Sequence, residues 1–399
     1  MSVEINKFKN GLTVVSGHIP GAKIFNLNIG VRFGVRDQKI DEVEYSHLLE
    51  HLMMGDSRDT VKTLEQAGSH VNAHVSSESI TLSGDALTEY GADLVNILWD
   101  RLMHPQMTDE LISKEISTLH NEYRGQENNL DKYLGKILIS LIYPQSGLVL
   151  RPDLEQYPLS TVSVLKLKKF HSQILHPELM FVVGVGDLNK VNIKDLIAKT
   201  LSDLPVLKLK KTRIKPQLGQ VKFYEVIPPR SKKVTNFRFG WQTVPMADNL
   251  SPVFDLITSY LARGFDSKLF VEMRLKYNLI YSHVASSWSI SDAGVFYFGF
   301  ATTQPKKAEQ VVMNDLTSWL ESVDEVQLEK IKTKVINRTR MFVLSTQKNQ
   351  AQIYTDILIA TGGVQTLDDY IKKINQITLA DFKQASSMLS LNNMYVLKG

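Results

Sequence analysis

Phe25-Asn26-Leu27-Asn28-Ile29-Gly30 alternates apolar and polar residues, and Thr235-Asn236-Phe237-Arg238-Phe239-Gly240 does the same 210 residues later. A period of two is that of a strand with one face buried. Asn26 falls on Asn236 and Gly30 on Gly240. The same offset carries Asp56-Ser57 onto Asp266-Ser267, and Leu179-Met180-Phe181-Val182 matches Asn393-Met394-Tyr395-Val396 at a slightly larger one. Two copies of one α+β unit account for these matches. In each copy strands come in groups, followed by long helical stretches such as Thr108 to Gln126 and Asp324 to Thr346. Grouped strands favour a mainly antiparallel sheet with helices packed on one face. The basic, proline-bracketed run from Leu204 to Pro216 reads as a connector. The expected division is a first domain over residues 1–204, a linker over 205–218 and a related second domain over 219–399.

Composition narrows the chemistry. A chain of 399 residues with 43% hydrophobic and 22% charged residues can bury a sizeable core, which excludes disordered and low-complexity classes. A net charge of +4 from 46 basic and 42 acidic residues is too small to make nucleic acid the main partner. With no cysteine, disulfide frameworks, thiolate metal sites and Cys nucleophiles are excluded. Any metal must be held by His, Asp or Glu. Met1 to Lys9 lacks the basic-then-apolar pattern of a secretory signal, and no apolar run approaches the roughly 18 residues that span a bilayer. The expectation is a cytoplasmic protein without a membrane partner.

His47-Leu48-Leu49-Glu50-His51 lies in a stretch, Ile40 to Met54, that reads as helix. His47 and His51 are then one turn apart on one face, with Glu50 beside them. Two imidazoles and an adjacent carboxylate suit a catalytic zinc: two ligands, and a base that takes a proton from metal-activated water. Such a site needs a third protein ligand. Glu115 and Glu122, seven residues apart, share one face of a downstream helix, so that one can ligate while the other supports it. The histidines outside the motif, His171 and His176 among them, read as surface or capping residues.

The inverted His-x-x-Glu-His motif, with Glu122 following, resembles the pitrilysin and mitochondrial processing peptidase family of zinc metallopeptidases, in a short two-domain, bacterial-type form. Further stretches carry the resemblance along nearly the whole chain. Leu64-Glu65-Gln66-Ala67-Gly68-Ser69-His70-Val71-Asn72-Ala73 resembles the family's turn into the edge strand on which substrate is laid. Val183-Gly184-Val185-Gly186-Asp187 resembles the strand end that closes its first domain. Gly264-Phe265-Asp266-Ser267-Lys268-Leu269-Phe270, followed by Arg274 and Tyr281, resembles the segment with its paired arginine and tyrosine.

The resemblance implies one Zn2+ per chain held by His47, His51 and Glu122, with Glu50 as the base and Glu115 as the accessory carboxylate. It implies a peptide substrate bound as an added strand at Asn72 and Ala73, with Arg274 and Tyr281 holding its backbone and meeting the oxyanion. At the 210 offset, Ile257, Tyr260 and Leu261 stand opposite the motif, and aligning Lys114 with Lys330 puts Ile331 and Arg338 opposite Glu115 and Glu122, so the second copy cannot bind the metal there. The family's complete chamber resembles a clamshell of four such domains. The expectation is therefore a homodimer, or a heterodimer with a related chain, forming a zinc endopeptidase. The alternative is a noncatalytic scaffold or partner subunit. Leu52-Met53-Met54-Gly55-Asp56 and Ser76-Ser77-Glu78-Ser79 depart from the family's usual residues, which bears on substrate preference rather than on the ligands.

Overall fold

The alternation at Phe25 puts Phe25, Leu27, Ile29 and Val31 fully out of solvent in a computed structural model of the chain. The structure describes residues 2–55, 60–126, 130–144, 148, 159–201, 215–225 and 234–399. The Asp56-Ser57 match and most of the expected linker, residues 205–214, lie outside the described residues.

Eleven strands are present among the described residues: β1 Ser2–Lys7, β2 Thr13–His18, β3 Ile24–Val31, β4 His70–Val75, β5 Ile80–Leu87, β6 Met180–Gly186, β7 Phe223–Glu225, β8 Thr235–Thr243, β9 His283–Ser289, β10 Gly294–Thr302 and β11 Tyr395–Lys398. The principal helices are α1 Tyr45–Met54, α2 Thr60–Gln66, α3 Gly91–Met103, α4 Asp109–Gln126, α5 Leu130–Ile142, α6 Val164–Ile174, α7 Ile193–Leu201, α8 Ser251–Ala262, α9 Pro305–Glu321, α10 Glu325–Ser345, α11 Gln347–Thr361, α12 Leu367–Gln376 and α13 Leu379–Met388. The fold class is α+β, with two sheets.

The first sheet runs β1-β2-β6-β3-β5-β4 and the second β7-β11-β8-β10-β9. Apart from β1 the two orders match strand for strand. β2 and β6 pair in parallel, as do β7 and β11, while β6-β3-β5-β4 and β11-β8-β10-β9 are antiparallel throughout. The sequence repeat is thus a repeat of topology.

The chain forms two compact units, and each borrows a helix from the other half of the sequence. One unit comprises the described residues of Met1–Gln126, Gly147–Ile214 and Phe342–Thr366; the other those of Glu127–Ser146, Lys215–Met341 and Leu367–Gly399. In the first, Phe25, Leu27 and Ile29 meet Leu48, Leu98, Leu119 and Phe170 in a core between the sheet and its helices. The opposite face carries α11, whose Ala351, Tyr354 and Leu358 pack on Val15, Phe181, Val183 and Val185. In the second, Phe237, Phe239 and Trp241 face the helices α8, α9, α10 and α13 in the main core, while α5 lies against β8 and β11.

These borrowed helices explain why the alternating strands are not half-solvated. Asn28, on the polar face of β3, is 5% exposed, and its Nδ2 donates to Thr355 Oγ1 of α11 at 2.9 Å. Arg238, its counterpart at the 210 offset, is 2% exposed and ion-paired with Asp131 of α5. A β-carbon on Gly240 would stand 2.8 Å from Leu138 of α5, so glycine there lets the helix approach the strand.

Deleting the packing of either borrowed helix should destabilise the unit that receives it. Leu358 and Leu138 are both fully buried, and Leu358→Ala or Leu138→Ala is expected to lower the unfolding free energy by about 2–4 kcal/mol. Urea unfolding checks this; a loss under about 1 kcal/mol in both variants would contradict the packing described.

Candidate metal centre

Helix α1 has two faces with different tasks. Leu48, Leu49, Leu52 and Met53 are fully buried in the first core, which turns His47, Glu50 and His51 to the other side, where they stay partly exposed. The helix is shorter than the Ile40 to Met54 expected from periodicity. Ile40–Glu42 is a separate 3-10 turn, and Glu44 then adopts a left-handed conformation, φ 72°, which helix cannot continue through. At the other end Gly55 N–H caps the His51 carbonyl at 2.6 Å. A β-carbon on Gly55 would stand 3.0 Å from Glu115 Oε1, so the glycine also leaves room for that carboxylate.

Helix α4 supplies the remaining acids. Ile112, Glu115, Leu119 and Tyr123 form its buried face, and Glu122 sits at the edge of that face with its side chain 44% exposed. His47 Nε2 lies 3.6 Å from one Glu122 carboxylate oxygen and His51 Nε2 3.6 Å from the other. Glu50 Oε2 is 4.0 Å from His47 Nε2 and 3.8 Å from His51 Nε2. One ligand atom from each of His47, His51 and Glu122 falls within 4.8 Å of the others.

The donor set fits zinc. Ligands about 2.0–2.1 Å from a tetrahedral zinc stand about 3.4 Å from one another; here each imidazole lies 3.6 Å from its own oxygen of Glu122, and the three ligand atoms fall within 4.8 Å of one another. The other ring nitrogens are occupied. His51 Nδ1 is 3.0 Å from Glu115 Oε2 and His47 Nδ1 is 3.2 Å from Glu44 Oε2. A carboxylate only accepts, so each Nδ1 carries the proton and each Nε2 presents its lone pair to the shared space. Tyr123 hydroxyl donates to Glu44 and lies 3.3 Å from His47 Nδ1. Burial, then the Glu44 carboxylate, push the Tyr123 phenol far above its usual range, so it remains a donor.

Two shifts bear on the chemistry. Burial raises the Glu50 carboxyl above its ordinary value against the pull of His51 and His47. Burial also disfavours the His47 imidazolium, but the Glu44 hydrogen bond and the surrounding carboxylates outweigh it and the imidazole is raised.

Beside α1 runs β4, the last strand of its sheet, hydrogen-bonded to β5. It follows a turn in which Gly68 has φ 81°. Val71 and Ala73 point into the core, and His70, Asn72 and His74 point outward. The side chain of Ala73 is thus packed, and what it offers at the strand's free edge is backbone.

Arg274 and Tyr281 belong to the second unit. Arg274 lies on a π-helical turn, Leu269–Lys276. Its guanidinium carbon is 4.7 Å from the centre of the Tyr281 ring and 5.1 Å from that of Phe270. Tyr281 is 80% exposed. Opposite the motif, Ile257, Tyr260 and Leu261 are core residues, Ile331 is buried, and Arg338 is exposed.

Sequence reasoning missed Glu44 and Tyr123. The signal for Glu44 was an acid three residues before a motif histidine; Tyr123 could be read only as core. The surface placement fails for His171 and His176, which are buried at 8% and 3% exposure, although the His176 ring does cap a turn, its Nδ1 accepting from Glu178 N–H at 3.3 Å. His171 is satisfied internally, its Nε2 lying 2.8 Å from the Leu102 carbonyl oxygen.

Residues 13–149 match the family described as insulinase (peptidase family M16), and residues 161–335 match the peptidase M16 inactive domain. The chain is 24% identical over 342 residues to an uncharacterized zinc protease of Rickettsia felis, covering 83% of this chain and 81% of the relative. It is 20% identical over 407 residues to the mitochondrial-processing peptidase subunit beta of Saccharomyces cerevisiae, covering 94% and 86%. A solved protease from Helicobacter pylori has the same fold, with a TM-score of 0.83 at 18% identity over 100% of this chain and 99% of the other. A peptidase M16 inactive domain from Pseudomonas fluorescens gives 0.88 at 14% identity, over 100% and 97%. The chain belongs to peptidase family M16, the pitrilysin and processing-peptidase family. Among the described residues no helix is long and apolar enough to cross a membrane.

The hydrogen bond to His51 gives a direct check. Glu115→Gln keeps the shape but loses the charge that holds Nδ1–H, and zinc affinity is expected to fall about tenfold to a hundredfold. Competition with a chromophoric chelator measures it; an unchanged affinity would count against the role of Glu115.

Proposed function

We propose that this member of peptidase family M16 is a zinc-dependent endopeptidase of the cytoplasm, cutting short or unfolded peptides in a chamber formed by two chains. The observation that carries the reading is the convergence of His47, His51 and Glu122 with Glu50 against both imidazoles. His47 Nε2, His51 Nε2 and a Glu122 oxygen would hold the zinc. A zinc bound there would polarise the scissile carbonyl and make water a ready nucleophile near neutral pH.

Glu50 does the proton work. Its carboxylate takes the proton of the attacking water and passes it to the departing amine. Burial, by raising its pKa, brings its acid and base forms closer to equal use near neutral pH. Glu115 and Glu44 hold the imidazoles in one orientation. The free edge of β4 at Asn72 and Ala73 accepts the peptide backbone as an added strand, a mode that reads extended chains and is closed to folded ones. Arg274 and Tyr281 of a partner subunit hold the peptide backbone and offer a guanidinium and a phenol to the oxyanion. The stacking of Arg274 between Phe270 and Tyr281 supports this role, because it pre-orients a side chain that is otherwise flexible.

Glu50→Gln is expected to bind zinc while cleavage of a quenched peptide library falls by about a hundredfold or more. A wild-type chain that binds zinc and cleaves nothing, alone or with a related chain, would instead make it a noncatalytic subunit. The shared chamber has a separate check: Glu50→Gln and Arg274→Ala chains, each inactive alone, should recover activity on mixing. A confirmed mixed dimer that stays inactive would rule the sharing out.

A further inference from the structure

Among the described residues, Glu44 and Asn278 are the two non-glycine residues with positive φ. Asparagine tolerates that region; a glutamate there is strained by its own β-carbon. Glu44 is also 1% exposed, so both its backbone and its charge are held at a cost. It occupies the position before α1, and its carbonyl oxygen accepts from Leu48 N–H at 2.9 Å to start the helix. A residue there ordinarily has extended backbone and folds its side chain onto the N–H groups of the first turn. Glu44 makes no such side-chain cap. The left-handed turn aims its carboxylate forward instead, to His47 Nδ1 at 3.2 Å and to the Tyr123 hydroxyl.

We propose that Glu44, with Tyr123 donating to it, is a positioning residue for the metal centre: a strained backbone is kept so that a buried carboxylate fixes the proton of His47 on Nδ1 and leaves Nε2 free for the metal. The inference rests on the zinc reading above and adds to it. His51 obtains the same service from Glu115, which reaches across from a neighbouring helix. His47 has to obtain it from its own chain three residues back, and that short path accounts for the unusual backbone. Tyr123 completes the arrangement: its ring lies 5.9 Å from the His47 ring and perpendicular to it at 88°, while its hydroxyl satisfies the same Glu44 oxygen.

The test compares zinc affinity, the thermal midpoint of the metal-free chain and the 15N imidazole shifts of His47 in the wild type, Glu44→Gly, Glu44→Ala, Glu44→Gln and Tyr123→Phe. Glu44→Gly and Glu44→Ala should each bind zinc about tenfold to a hundredfold more weakly. Glu44→Gln should recover part of that loss, because its amide oxygen still accepts from Nδ1–H. Metal-free Glu44→Gly should melt above Glu44→Ala, the reverse of the usual order, since only glycine is unstrained at this φ. The His47 shifts should report one Nδ1–H tautomer in the wild type and a mixture in Glu44→Ala. Tyr123→Phe should weaken zinc less than Glu44→Ala does. If the wild type binds zinc and the glycine and alanine variants bind it equally well, the positioning role is overturned while the metal centre stands. Glycine melting below alanine would remove the strain argument. A wild type that binds no zinc overturns both readings.

Discussion

The hydrogen bonds from His47 Nδ1 to Glu44 and from His51 Nδ1 to Glu115 are the constraint on which the rest of the site depends. An imidazole free to rotate or to change tautomer presents no defined lone pair. Tied at one nitrogen, it presents the other in a fixed direction, and the two directions converge on Glu122. Both tethering acids are buried, at 1% and 6% exposure, which makes each bond stronger than it would be in water and makes its loss expensive. The cost of burying these carboxylates is met by the fold: α1 and α4 are clamped to each other through Leu48, Leu52, Ile112 and Leu119 in the first core.

Among the described residues of the duplicated unit, one copy alone brings together a candidate metal-ligand set. The two sheets share their strand order and pairing, so the scaffold for a second centre exists. Where α1 carries the motif, α8 carries Ile257, Tyr260 and Leu261, all buried, and the Tyr260 hydroxyl donates to the Trp319 carbonyl at 2.8 Å. The space used in one copy to converge polar groups is used in the other for apolar packing. The borrowed helices follow the same symmetry. Asn28 with Thr355 and Arg238 with Asp131 occupy matching places on the central strands, and each polar pair seats a helix from the other half of the chain.

What could be read from the sequence was whatever depends on local spacing. The motif histidines and Glu50 are one helical turn apart, and Glu115 and Glu122 two turns apart, so helix geometry alone places each set on one face. The repeat was visible because Asn26 and Gly30 recur with their neighbours. Glu44 escaped notice because its role depends on one backbone dihedral angle, which periodicity does not report. The alternation in β3 was read as a half-solvated strand, because nothing in Phe25 to Gly30 indicates that α11, some 320 residues later, covers its polar face. Likewise His171 and His176 look like any surface histidine until the backbone carbonyl beside one and the core around both are in place.

One zinc held by two imidazoles and one carboxylate is the arrangement on which the proposed activity turns. X-ray absorption at the zinc edge of the purified holoprotein measures this most directly. One zinc per chain is expected, with a first shell of nitrogen and oxygen at about 2.0–2.1 Å and the outer-shell scattering of two imidazoles. Three or more imidazoles, or a shell of oxygen alone, would contradict it.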